Sequence, residues 1–481
     1  MVATRDGRGS LVLKSAKKSG CALLSVAAVL CYSQGARAEV TLAESNGWEV
    51  FSDGRISAFL MYANGDGVPP RGMDVNGNPV DLPTGSGLAE SEAGSDAPPS
   101  VQGNVEGFRV KSGFVGNVFG FGVRRSLTDT TTLKGYFHIH AALEPPDRRK
   151  YLPILTDFRE AYLELSGPWG SLLGGRSLAL FSRGATEITF LYGFNYGMGH
   201  PGSVDNPGPG LGHIGFGVLA NGFAPGFKYT TPSVGGLELA VGVYDPAGLV
   251  GAIWERTKYP RPEAELTYHV EAGSFLLHLF ANGAWQKLYQ NNSTESETVA
   301  GAGYGGRVEV GPVHLGLAGH YGKGLGLNFA LQPSNVTYAG ITQDYALRTF
   351  DGYYAQLQVA LGKLDLMAGW GITRVKLLDS DRVDQRDDDN DPATPSGNDF
   401  DDDGDAATPV GDDDEVPGAP DVDPLGLNPL KHQMGISAGL AYHFADQLHL
   451  GLDFFRADYR WYLGETKQIV NFVNVGMTVQ W

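Results

Sequence analysis

The last thirteen residues of the chain alternate between an apolar face and a mostly polar one. Ile469, Asn471, Val473, Val475, Met477, Val479 and Trp481 fall on one face, and Phe472, Asn474, Gly476, Thr478 and Gln480 fall on the other. A period of two is the signature of a strand with one apolar and one mostly polar side. No helix follows to cover the apolar face, so its expected partner is lipid. A closing strand of a soluble sandwich would alternate in the same way, and the rest of the chain has to decide between the two.

The N-terminus carries Lys14, Lys17 and Lys18, an apolar run from Cys21 to Cys31, and Ala36-Arg37-Ala38 ahead of Glu39. A charged segment, a short apolar core and a small-residue cleavage site predict a signal peptide over residues 1–38. The run is too short to cross a ~30 Å hydrocarbon core as a helix, and no later stretch is long and apolar enough either. Both cysteines lie within the segment to be removed, so the mature protein is expected to lack disulfides and thiol-based metal sites.

The net charge of −18 is local rather than global. Residues 379–424 hold 17 Asp and one Glu against Arg382 and Arg386, and most of the acidity belongs to this single segment. Nucleic acid is not an expected partner for such a chain.

Turn signals recur about every ten residues, with 68 Gly in the chain and no linker dividing it. Read backwards from Trp481, the sequence yields sixteen strands, beginning at 50–62 and including one continuous strand at 105–125. Seven tight turns, among them Gly273, Gly311-Pro312, Gly362-Lys363 and Ala445-Asp446, separate strand pairs, and all fall on one side. Leu364, Leu366, Ala368 and Trp370 oppose Asp365 and Met367, while Leu448, Leu450, Leu452 and Phe454 oppose His449, Gly451 and Asp453. Charged residues on the inward face would be costly in a dry core but suit a wet lumen. The fold class read from these patterns is all-β, a sixteen-stranded antiparallel transmembrane β-barrel spanning residues 39–481.

The longest connection without a mostly acidic composition is 178–222. It follows the segment Ala161–Ser177, AYLELSGPWGSLLGGRS. With the leader, the sixteen strands and the terminal aromatic, this text resembles the general trimeric porins of Gram-negative bacteria. The resemblance covers essentially the whole mature chain, although the Pro-Glu-Phe-Gly stretch usual in that family's third loop is missing. It implies an outer-membrane homotrimer passing small hydrophilic solutes, with residues 178–222 folded inward as the constriction loop.

In such a channel the narrowest point sorts solutes by size and charge. By strand parity Arg55, Arg124, Lys134 and Lys228 are expected to point inward. Arg176, as the Arg of the Gly-Arg pair, is expected to face in by resemblance, with Glu187 and Asp205 on the loop as opposing acids. The alternative for each is a rim or subunit-contact charge. His138, His140, His200 and His213 either line the path or are simply solvated.

Within the Asp-rich external loop at 379–431, Asp399, Asp401, Asp403 and Asp405 with Gly404 match the first half of a calcium loop. Position twelve is Val410 rather than Glu, so the bidentate ligand would have to come from Asp412, Asp413 or Asp414. Ca²⁺ binding there, and bridging of the loop to lipopolysaccharide, stand against a self-repelling hydrophilic loop with no ligand.

Gly301-x-Gly303-x-x-Gly306 fits a dinucleotide fingerprint only by letter, because it leads into a strand and not a helix. No nucleophile elbow or His-Glu-x-x-His occurs, and His200, Ser203 and Asp205 are neighbours only in sequence. An enzyme is therefore not expected. Three alternatives remain: a substrate-selective channel for anions such as phosphate or for sugars, a calcium-binding surface barrel, and a barrel phospholipase.

Overall fold

The computed structural model describes residues 39–66, 72–73, 79–80, 105–114, 116–141, 156–189, 210–246, 256–290, 293–328, 330–331, 347–377, 430–462 and 467–481. Among them sixteen antiparallel strands close into one barrel. In chain order these are β1 (Trp48–Gly65), β2 in two halves (Val105–Lys111 and Asn117–Ser126), β3 (Thr132–Ala141), β4 (Thr156–Gly167), β5 (Gly170–Leu178) and β6 (Phe223–Thr230). They continue through β7 (Leu237–Tyr244), β8 (Arg261–Ala272), β9 (Phe275–Tyr289), β10 (Ser296–Val310) and β11 (Val313–Lys323). The wall is completed by β12 (Thr349–Leu361), β13 (Leu364–Val375), β14 (Leu430–Ala445), β15 (Leu448–Trp461) and β16 (Lys467–Gln480).

Each strand pairs with its sequence neighbour, and β16 pairs with β1 from Gln480 opposite Arg55 to Val470 opposite Gly65. Closure removes the exposed edges that an open sheet would leave in lipid. Trp481 extends the seam with reciprocal backbone bonds to Gly54 of 2.8 and 3.0 Å. Beyond that point a short strand, Val40–Ser45, takes over the vacated edge of β1.

The tight connections lie at one end of the barrel, here the turn end, and the long ones at the other, the loop end. Two of the turns depend on glycines in left-handed conformations, Gly311 at φ 56° and Gly362 at φ 68°, which a side chain would strain. The outer face follows from the alternation. Leu237, Leu239, Val241 and Val243 are 40–50% exposed, whereas the intervening Ala240 is 2% exposed. Leu315, Leu317, Val473, Val475 and Met477 continue this apolar belt, and a belt of this extent has lipid as its only favourable solvent. No helix among the described residues is long and apolar enough to cross a membrane.

A charge placed in the belt should be costly. Leu317→Arg is expected to destabilise the lipid-inserted barrel by about 2–4 kcal/mol, read by denaturant titration in lipid vesicles. An unchanged midpoint would mean that this face does not meet lipid.

The structure alters two expectations. The single strand read at 105–125 is broken between Lys111 and Asn117, although both halves pair along β1. The chain leaves the ladder so that Phe114 can bridge to Gly210. The gap is closed from within by Arg55, which donates to Phe114 O at 2.6 Å, and by Ser57, which donates to Asn117 Oδ1 through its backbone N–H at 2.7 Å.

The lumen is also not wet throughout. At the loop end, Phe350, Phe455, Tyr459, Trp461 and Phe472 turn inward and form one apolar cluster with Phe181, Phe216, Leu219, Leu325 and Leu327. The loop segments supply the second layer that the inward aromatics need, so this part of the interior packs as a conventional core.

Candidate functional site

The chain leaves β5 at Leu178 and bends into the barrel, held at its neck by Ala179 N–H donating to Gly222 O at 3.0 Å. Ser182 adopts a left-handed φ of 65°, and a single helical turn, α1 (Arg183–Glu187), follows. The descent is fastened to the inner face of β8, where Glu263 and Glu265 alternate with outward Pro262, Ala264 and Leu266. Glu263 accepts from the Phe181 N–H at 2.7 Å and from Arg261 Nε at 2.7 Å. Glu265 accepts from the Gly184 N–H at 2.9 Å, from Arg183 Nε at 2.6 Å and from Asn282 Nδ2 at 3.1 Å. All four charged groups are nearly inaccessible, and buried charges persist only when paired and hydrogen-bonded in this way.

Across the lumen, Gln356 of β12 donates to Ile188 O at 2.7 Å. The return leg then packs on the far wall. His213 Nε2 lies 2.7 Å from Ser437 Oγ of β14, and the Gly217 N–H donates to Thr373 Oγ1 of β13 at 3.0 Å. The edge of the Phe216 ring meets Phe455 and Tyr459 with centroids 5.2 and 5.4 Å apart. The described parts of residues 178–222 therefore bridge the interior from β8 to β12, β13 and β14.

Charge near α1 is distributed unevenly. Glu187 keeps about a third of its side chain accessible, 3.5 Å from Arg183 Nε. Desolvation inside the barrel is the main cause that pushes its carboxyl up, to about 7; repulsion from Glu265 adds to this, and the attraction of Arg183 opposes it. Burial alone would lower the Arg183 guanidinium, but Glu265 and Glu187 outweigh it and hold the group above its ordinary value. Lys228 of β6, buried on the same side of the wall two strands from β8, is within electrostatic reach of Arg183, Glu164, Glu187 and Glu160.

Toward the turn end, Lys134 of β3 sits opposite Glu164 of β4. It lies over the rings of Phe51 and Tyr136 at 5.2 and 4.9 Å. Arg124 is bidentate to Glu49, with both bonds at 2.6 Å, and also pairs with Glu39. His138 Nδ1 contacts Glu160 at 2.9 Å.

The structure thus places Arg124, Lys134 and Lys228 on the inner wall, the first two toward the turn end, and Glu187 on the loop within electrostatic reach of Lys228. Arg55 is inward but serves the broken strand. His138, His140 and His213 are buried inside rather than solvated. Arg176 is a correction: it shares the outer face with Leu172 and Gly174, opposite outward Ala161 and Pro225. Parity along β5 sets its direction, and the resemblance that pointed it inward does not. Asp205, His200 and Asp399, Asp401, Asp403 and Asp405 lie outside the described residues.

The sequence reading missed Arg183, Arg261, Glu263 and Glu265. The alternation of β8 marks the two acids as inward, but their partners on the loop are about 80 residues away in sequence and leave no local signal.

A family model described as Gram-negative porin matches residues 22–394. Among solved structures, the chain is similar to the outer membrane channel DcaP of Acinetobacter baumannii at 13% identity and a TM-score of 0.58, covering 92% of this chain and all of that one. It is also similar to the anion-selective porin from Comamonas acidovorans at 11% identity and a TM-score of 0.53, covering 90% and 100%. At these identities the likeness establishes the fold alone. No curated protein matches the chain.

Proposed function

The chain belongs to the Gram-negative porin family, an outer-membrane channel for passive diffusion, and from that premise we propose that residues 178–222 set its size and charge limits. The observation that carries this reading is the anchoring of α1 across the lumen between Glu265 and Gln356, with the partly accessible Glu187 at its end. A solute crossing there meets the Glu187 carboxyl with the Arg183 guanidinium beside it. Such an arrangement orders water and favours small hydrophilic molecules over apolar ones.

On this reading the protein is a channel and not an enzyme, exported by way of residues 1–38 and assembled as a homotrimer in the outer membrane. Ca²⁺ in the Asp-rich loop and lipopolysaccharide contacts stay with the loop chemistry already described. A substrate-selective channel differs in one respect, a conductance that saturates with a defined solute.

The test is single-channel conductance in planar bilayers, with the reversal potential measured under a salt gradient. The raised Glu187 carboxyl is neutral below about pH 7 and charged above it. Cation preference should therefore increase as pH rises through that window, and Glu187→Gln should flatten the increase. Arg176→Glu should leave the reversal potential unchanged, because the group lies on the outer face. A pH profile identical in wild type and Glu187→Gln would remove Glu187 from the path.

A further inference from the structure

Near the turn end, away from the constriction, β14 and β15 place His443 directly opposite His449. Both positions face the lumen. The two rings stand almost perpendicular, 85° apart with centroids at 4.8 Å, and the two Nδ1 atoms are 2.8 Å from each other. The remaining nitrogen of His443, Nε2, lies 2.8 Å from Asp365 Oδ2 on the adjoining strand β13. Gln480 of β16 is 3.3 Å from His449 Nε2. His449 and Asp365 are buried in the wall, while His443 keeps 27% of its side chain accessible.

We propose that His443 and His449 form a cross-strand chelate for a divalent transition metal at the turn-end mouth of the barrel. The two Nδ1 atoms share one hydrogen bond, and a metal would take the place of its proton. The carboxylate behind His443 fixes it in the tautomer that bears hydrogen on Nε2 and a lone pair on Nδ1, as a carboxylate behind a metal-bound histidine does. Rigid pairing of two adjacent strands holds the donors in place, so little side-chain freedom is lost on binding.

Donor type narrows the choice of metal. Imidazole nitrogens suit Cu²⁺, Ni²⁺ and Zn²⁺, and of these Cu²⁺ is bound most tightly. Neutral nitrogen donors are also a poor match for Ca²⁺ or Mg²⁺, which take oxygen. Among the described residues no cluster of three or more metal-ligating side chains occurs. Water from the lumen would complete the coordination, giving an open and exchangeable site.

The experiment uses the full folded protein in detergent micelles, titrated with Cu²⁺ and followed by electron paramagnetic resonance. Expected is one Cu²⁺ per chain with two equatorial imidazole nitrogens. His449→Ala should abolish that signal, and His443→Ala, at the more accessible position, should do the same with the wall left packed. Asp365→Asn should weaken binding about 10- to 100-fold. Heat-modifiable mobility establishes that each variant is folded. Stoichiometric copper binding unchanged in both histidine variants would overturn the proposal and assign the metal to another pair, such as His138 with His140. No binding by the folded wild type would overturn it outright. The readout does not depend on conductance, so it stands or falls apart from the channel reading.

Discussion

Glu265→Ala should open the channel. The substitution leaves the Arg183 guanidinium buried without its main partner and removes the acceptor for the Gly184 N–H and for Asn282. Breaking a buried pair from one side costs about 3–5 kcal/mol. Here that cost falls on the docked state of the loop, because β8 itself keeps its ladder to β7 and β9. The expected result is a barrel that still shows heat-modifiable mobility but conducts more per channel and has lost the pH response of Glu187. A cycle separates charge from shape. Arg183→Met combined with Glu265→Gln removes both charges while keeping an oxygen for the Gly184 N–H, and should return conductance most of the way to wild type. Conductance unchanged by Glu265→Ala would show that β8 does not hold the loop.

The second large effect is expected at Gly217, on the return leg. Its φ of +89° lies in the left-handed region, and a Cβ there would stand 2.1 Å from Tyr353 O and 2.9 Å from Gly371 Cα. Both neighbours are backbone of the barrel wall and cannot rotate aside. Gly217→Ala therefore combines overpacking, about 1–3 kcal/mol, with a left-handed residue, about 1–2 kcal/mol. Lifting this segment withdraws Phe216 from Phe455 and Tyr459. Chymotrypsin, to which Phe216 is closed in the wild type, should then cut the folded variant at that residue. Gly235→Ala is the control. Gly235 has a φ of +60° with nothing within 4 Å of its Cβ position, so it carries the strain without the collision and should leave Phe216 protected. Equal protection in both variants would mean that the leg tolerates the collision by moving slightly.

Much of the architecture was legible because a barrel writes itself in period two. Leu237 to Tyr244 could be assigned to faces letter by letter, and Gly311 and Gly362 marked reversals that few other residues would make. Parity also gave the directions of Arg124, Lys134 and Lys228. It failed where it was set aside, at Arg176. The reading fell short where distant segments meet. Nothing local to Arg183 announces Glu265, and nothing local to Phe455 or Trp461 announces that Phe216 and Leu325 will cover them. An inward aromatic on a strand reads the same whether it borders water or a folded loop. The break in β2 was hidden for a related reason, since residues 105–125 carry strand-like composition on both sides of the bend.

That bend has a bearing on engineering. Phe114 meets Gly210, Thr373 and Gln433 receive the glycines of the return leg, and Asn328 O accepts from the Ala220 N–H at 3.0 Å. Together with Glu263 and Glu265 of β8 and Gln356 of β12, these contacts write the seat of the loop into several separate stretches of the wall and its connections, outside 178–222 in sequence. A transplant of residues 178–222 into another barrel would carry the key without the lock. Exchange of permeation properties between such proteins should succeed only when the bend after Lys111, the segment around Asn328 and the acids of β8 travel together with the loop.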